Sequence, residues 1–151
     1  MILYLDTSAL FKLYVDEAGS DAVHAAVAAA ESVAVCRITW VEAMSALARR
    51  GREVPADQQA LDLARQALSD DWPTFLIVEL TRELVEQAGE FAYTFALRGY
   101  DAMQLAAAYQ VRQTAAVVFS SFDNRLSKAA KLLAMPGWAG FNPPTIRPGK
   151  N

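Results

Sequence analysis

Hydrophobic and polar positions change period several times along the chain, and each change marks a predicted element. Ile2 to Leu5 is a short apolar, β-favouring run with the character of a strand buried on both faces. From Ser8 onward Ala9, Leu10, Leu13 and Tyr14 fall at helical spacing, so the period passes from 2 to 3.6 and leaves Asp6 on a strand-to-helix turn. Gly19-Ser20-Asp21 opens an alanine-rich helix over Ala22 to Ala30, and Val33 to Cys36 is a second strand. Thr39 and Glu42 have the T-x-x-E form of a capping box, opening a helix through Val41, Met44 and Ala48 that ends at Gly51. Pro55 starts another helix with a Leu61, Ala64, Leu68 stripe, running to about Ser69.

After the break at Asp70 to Pro73, Phe75 to Val78 is a third strand. Thr81 opens a long helix, apolar on most sides, that stops at Arg98-Gly99. Asp101 begins the next, DAMQLAAAYQVRQ, before a fourth strand over Ala115 to Phe119. Ser120 to Asp123 lead into a last helix to about Leu133, and Trp138 to Phe141 could add a short edge strand. Strands alternating with helices imply parallel pairing and right-handed crossovers. The expected fold is an α/β, three-layer α/β/α sandwich with a four- or five-stranded, mostly parallel sheet. One domain would span residues 1–142, with residues 143–151 a loose Pro-containing tail.

With 151 residues, 54% of them hydrophobic, the chain is long enough for one sizeable core. Its single Cys, Cys36, lies in an apolar run and reads as a buried strand residue, and its single His, His24, sits among alanines. Zinc sites and histidine-based triads therefore have almost nothing to work with. A secretory leader pattern and a membrane-length apolar run are both lacking, so a cytoplasmic location is the default expectation and no membrane partner is expected. The net charge of −3 runs against the basic excess usual for nucleic-acid binders. Local charge differs: Arg49, Arg50 and Arg52 cluster at one helix end, and Arg125, Lys128 and Lys131 recur at near-helical spacing, each group also readable as a solvated face.

Four carboxylates stand at element ends: Asp6, Glu42, Asp101 and Asp123. Each can be read as a helix cap or first-turn acid. In an open α/β sheet, however, residues after the carboxyl ends of the strands face a common crevice, where Asp6 and Asp123 would meet and the two helix starts could join them. Converging carboxylates repel one another and invite a hard cation. Mg²⁺ needs only a few of them when a substrate phosphate completes its shell, and phosphodiester hydrolysis is the chemistry that suits.

LDTSAL at Leu5 to Leu10, the acid in WVEAMSAL at Glu42, YDAMQLAAA from Tyr100 to Ala108 and SSFDNRL from Ser120 to Leu126 resemble the four acidic motifs of PIN-domain ribonucleases. The likeness is greatest to VapC toxins of type II toxin-antitoxin systems, in motif order and over nearly the whole chain. It implies a Mg²⁺- or Mn²⁺-dependent endoribonuclease that cuts cellular RNA, with a cognate antitoxin that blocks the site. Carried over by position, Asp6 and Asp101 would be the principal metal ligands, Glu42 would support metal or water, and Asp123 would complete the set. Ser8 and Ser121 would orient these acids by hydrogen bonds. Gln104 stands where many relatives have His, and Ser121 where many have Thr.

Other readings lose on particular residues. A phosphoacceptor receiver domain would have an acid pair after its first strand, where Leu5 and Thr7 flank Asp6, and a haloacid-dehalogenase-type phosphatase would have Asp at Ser8. The alternative that stays open is a catalytically inactive PIN-like module that holds RNA or a protein, against which the retention of all four acids argues. The helices over Thr39 to Ser69 and Thr81 to Arg98 carry more apolar surface than one small sheet covers, including Trp40, Met44, Phe91 and Phe95. A homodimer and an antitoxin-binding groove are the expected uses of that surface.

Overall fold

A computed structural model of the chain describes residues 1–137. The expected strand at Trp138 to Phe141 and the tail at residues 143–151 lie outside the described residues. Four strands, β1 (Ile2–Leu5), β2 (Ser32–Cys36), β3 (Leu76–Val78) and β4 (Val117–Ser120), form one all-parallel sheet in the order β3-β2-β1-β4. Seven α-helices connect and follow them among the described residues: α1 (Thr7–Tyr14), α2 (Ser20–Ala29), α3 (Thr39–Glu53), α4 (Gln58–Asp71), α5 (Arg82–Phe95), α6 (Gly99–Arg112) and α7 (Asn124–Leu132).

Period 2 divides the sheet's side chains between two cores. On one face Tyr4, Ala34, Cys36, Val78, Val117 and Phe119 pack with α5, α6 and α7, and the Tyr4 and Phe119 rings stack 5.5 Å apart. On the other, Leu3, Leu5, Val35 and Val118 pack with residues of α1 to α4. The result is the expected three-layer sandwich. Helix α6 lies deepest: Ala102, Leu105, Ala106, Ala107 and Ala108 are all buried, and four alanines let its backbone approach the sheet closely.

The chain steps outward from β1 to β2 to β3 and then returns across β1 to place β4 on its far side. This reversal between β1 and β4 is the topological switch point, and it opens a crevice at the carboxyl ends of the strands. Asp6 follows β1 there, its N–H donating to the Ser120 carbonyl at the end of β4 (3.1 Å).

Several element ends differ from the sequence expectation. Thr39 is not an N-cap: Ile38 holds that position without a side-chain cap, so the T-x-x-E pattern forms no capping box. Thr39 is instead fully buried and accepts a hydrogen bond from Gln104. Helix α3 runs past Gly51 to Glu53, and α4 is preceded by a 3₁₀ turn at Pro55–Asp57. It continues through the expected break to Asp71, where Trp72–Thr74 form a second 3₁₀ turn. Helix α5 stops at Phe95, earlier than Gly99, because Ala96 adopts the left-handed conformation (φ 53°) and its N–H bonds back to Ala92. Helix α6 consequently starts at Gly99, which puts Asp101 inside its first turn and not at its cap.

The apolar side chains expected on the surface are also more enclosed. Phe91 is buried against Tyr109, Trp40 packs edge-on against Trp72, and Met44 and Phe95 are partly covered by the cores. The exposed large apolar residues are others, among them Val41, Leu63, Val85 and Tyr93.

Candidate active site

Asp6 is only 4% exposed. Its side chain caps α1 by accepting from the Ala9 N–H (2.9 Å) and also accepts from the Ser8 hydroxyl (2.7 Å). Ser8 Oγ in turn accepts from the Phe122 N–H (3.0 Å), tying the turn after β1 to the loop after β4. Ser121 hydrogen-bonds the Asp6 side chain as well and accepts from the Asp123 N–H (3.0 Å). Both serines therefore hold a carboxylate and the loop beside it. Burial pushes the Asp6 carboxyl up to about 6, against the pull of its hydrogen bonds and with a further push from the charge of Asp101.

Glu42, half-buried in the first turn of α3, accepts from Gln104 Nε2 (2.9 Å) and is hydrogen-bonded by Thr7. Burial raises its pKa, those two bonds oppose the rise, and Asp101 adds to it. Asp101 is raised by burial and then by Asp123, with Arg98 opposing. Asp123 caps α7 by accepting from the Leu126 N–H (2.9 Å).

Burial is the main cause of all three shifts; the charge of Asp101 adds a smaller push to Asp6 and Glu42, and that of Asp123 adds one to Asp101. The capping reading holds for Asp6 and Asp123, which cap α1 and α7, and fails for Glu42 and Asp101, which cap nothing. Among the described residues no three acids gather into a ready-made metal cage. The donor set is nevertheless all carboxylate oxygen, and Arg98 opposes the rise at Asp101. That combination fits a hard divalent ion held by a few carboxylates and completed by water and phosphate oxygens.

Gln104 is the residue whose importance the sequence did not disclose. It is buried at the centre of a network in which its Oε1 accepts from the Tyr4 hydroxyl (2.6 Å). Its Nε2 donates to Thr39 Oγ1 (2.8 Å) and Glu42 Oε1 (2.9 Å), with Thr7 Oγ1 farther off at 3.3 Å. An amide nitrogen has two hydrogens, so the third contact is shared. The available signal was a polar residue three positions after Asp101, on a helix otherwise packed with alanine.

A PIN-domain family model matches residues 3–132. Ribonuclease VapC45 of Mycobacterium tuberculosis is 33% identical over 129 residues, 85% of this chain and 89% of that protein. Among solved structures, M. tuberculosis VapC20, described as a sarcin-ricin loop cleaving toxin, superposes with a TM-score of 0.63 at 19% identity, covering 84% of this chain and 94% of that one. A toxin-antitoxin complex from Klebsiella pneumoniae gives 0.56 at 21% identity, covering 80% and 86%.

Proposed function

The chain belongs to the PIN-domain family, and from that premise we propose that it is a Mg²⁺- or Mn²⁺-dependent endoribonuclease, the toxin of a type II toxin-antitoxin pair. The observation that carries the reading is the gathering of acids at the switch point of the sheet: Asp6 buried and held by Ser8, Glu42 half-buried and held by Gln104, and Asp101 and Asp123 lining one cavity, where burial disfavours the charge of Asp6, Glu42 and Asp101 and a cation would offset that cost. Asp6 and Asp101 are the principal ligands, Glu42 supports metal or water, and Asp123 completes the set. When bound, the ion supplies positive charge to the phosphodiester and its attacking water. The chain's own residues do the positioning: Ser8 and Ser121 fix the Asp6 carboxylate, and Gln104 with Thr7 fixes Glu42.

The test is incubation of the purified protein with RNA in Mn²⁺ and then in EDTA. Cleavage in Mn²⁺ alone is expected, and Asp6→Asn and Asp101→Asn should each abolish it while leaving the fold intact, because each keeps the side-chain shape and removes a charge. Cleavage at the parent rate by either variant would sink the site assignment. No cleavage by the parent would favour the inactive binding module.

The partners follow from the same reading and from the toxin-antitoxin complex among the structural neighbours. An antitoxin segment lays apolar side chains along the outer helices and blocks the acidic cleft, and a second copy of the chain covers part of the remaining exposed apolar surface at Val41, Leu63, Val85 and Tyr93. Light scattering should therefore report a dimer at micromolar concentration, and a stable monomer would contradict the pairing.

A further inference from the structure

The acidic cleft opens onto a cavity of about 330 Å³ lined by Arg98, Asp101, Asp123 and Arg125, two carboxylates between two guanidiniums. Arg98, at the N-cap of α6, has a side chain 85% exposed and approaches Asp101 with Nε 3.6 Å from Oδ2. Arg125 is exposed and reaches only the Ala96 carbonyl, at 3.5 Å, with no carboxylate within 4.0 Å among the described residues. Arg37 is held by Glu79, Arg50 by Asp57 at 3.2 Å and Arg82 by Glu86 at 2.8 Å; Arg49, Arg52, Arg65 and Arg112 form no ion pair among the described residues either, so what sets Arg98 and Arg125 apart is their place beside Asp101 and Asp123. A chain of net charge −3 with an acidic centre repels a polyanion unless cations stand beside that centre.

We propose that Arg98 and Arg125 form a phosphate-binding site on the rim of this cavity, each engaging a backbone phosphate of single-stranded RNA beside the bond to be cut. The proposal rests on the nuclease reading and adds to it the residues that hold the substrate. The planar guanidinium matches phosphate in a two-point fork, which a point charge cannot reproduce. Arg98 has a second part: it is the countercharge of Asp101, and it would be freed toward the RNA if that carboxylate held a cation. Metal and substrate then favour each other through one side chain. The plain structural reading makes Arg98 an exposed i,i+3 ion pair and Arg125 a capping donor to the end of α5, both of small energetic weight.

Fluorescence anisotropy with a labelled single-stranded RNA, in Ca²⁺ and with probe integrity checked on a gel, separates the two. Arg98→Ala and Arg125→Ala should each weaken binding and flatten the dependence of log K on log salt by about 0.7, and the double variant by about 1.4. Arg125→Lys should keep most of the slope while losing affinity. Calorimetric titration with Mn²⁺ in the absence of RNA should show Arg98→Ala binding the ion more tightly than the parent, since a competing cation has gone. Parent-like slopes and affinities in both alanine variants, or looser Mn²⁺ binding by Arg98→Ala, would overturn the phosphate site even if the parent cuts RNA. A parent that neither binds nor cuts RNA would overturn the nuclease reading and this site with it.

Discussion

Asp6 meets two demands at once. It caps α1 through the Ala9 N–H, which favours the carboxylate, yet it is 4% exposed and within reach of the Asp101 charge, which favour the acid. Burial wins, and the carboxyl sits at about 6 against an ordinary value of 3.8. A folded-state value above the unfolded one means that the native state binds this proton more tightly. The stability it contributes is complete below pH 3.8 and is lost as pH rises through about 6. In EDTA the parent should therefore lose stability between pH 4 and pH 7 from this group, by at most on the order of 3 kcal/mol. Asp6→Asn, which keeps a capping oxygen, should lack that loss and exceed the parent in stability at pH 7. Urea denaturation of both proteins at the two pH values measures it; parallel pH dependence would show that Asp6 ionises without penalty.

At the scale of elements, the site depends on how α6 is seated. Its alanines let it sink onto the sheet, and that depth brings Gln104 between Tyr4, Thr39 and Glu42. Gln104→Leu would leave the buried Tyr4 hydroxyl without its acceptor and Glu42 without its donor. A loss of about 2 kcal/mol is expected from unsatisfied buried groups, together with reduced cleavage as Glu42 is freed; denaturation and cleavage assays that both match the parent would remove Gln104 from the account. The strands were legible because short continuous apolar runs bounded by polar residues report a buried strand, as in Ile2–Leu5 and Ser32–Cys36. So were the caps at Thr81 and Asp123. Thr39 and Glu42 were misleading because a capping box is a pattern of residue types, and here a long-range amide takes both side chains. The end of α5 was invisible for a related reason: Ala96, an excellent helix former, is held left-handed where glycine would be usual. In the sequence Gln104 offers no more than a family difference and a possible capping partner for Asp101, since nothing local shows that four other residues converge on it.

For the whole molecule, the strand order fixes where chemistry can happen. The reversal between β1 and β4 brings Asp6, Ser121 and Asp123 to one crevice, and α3 and α6 begin on the same side with Glu42 and Asp101. Among the described residues no helix is long and apolar enough to cross a membrane. Whether this crevice holds a divalent cation, as proposed, is read by thermal unfolding of the parent and Asp101→Asn, each in EDTA and in excess Mn²⁺. Removing the Asp101 charge should relieve its burial cost and its repulsion with Asp123, so that in EDTA the variant melts a few degrees above the parent, about what 1–2 kcal/mol produces in a chain of this size. A ligand that binds only the native state stabilises it by RT ln(1 + [L]/Kd), so Mn²⁺ should raise the melting temperature of the parent well above that of the variant, reversing their order. Four superimposable curves would contradict the account, leaving Asp6 and Asp123 as helix caps and the crevice without a metal.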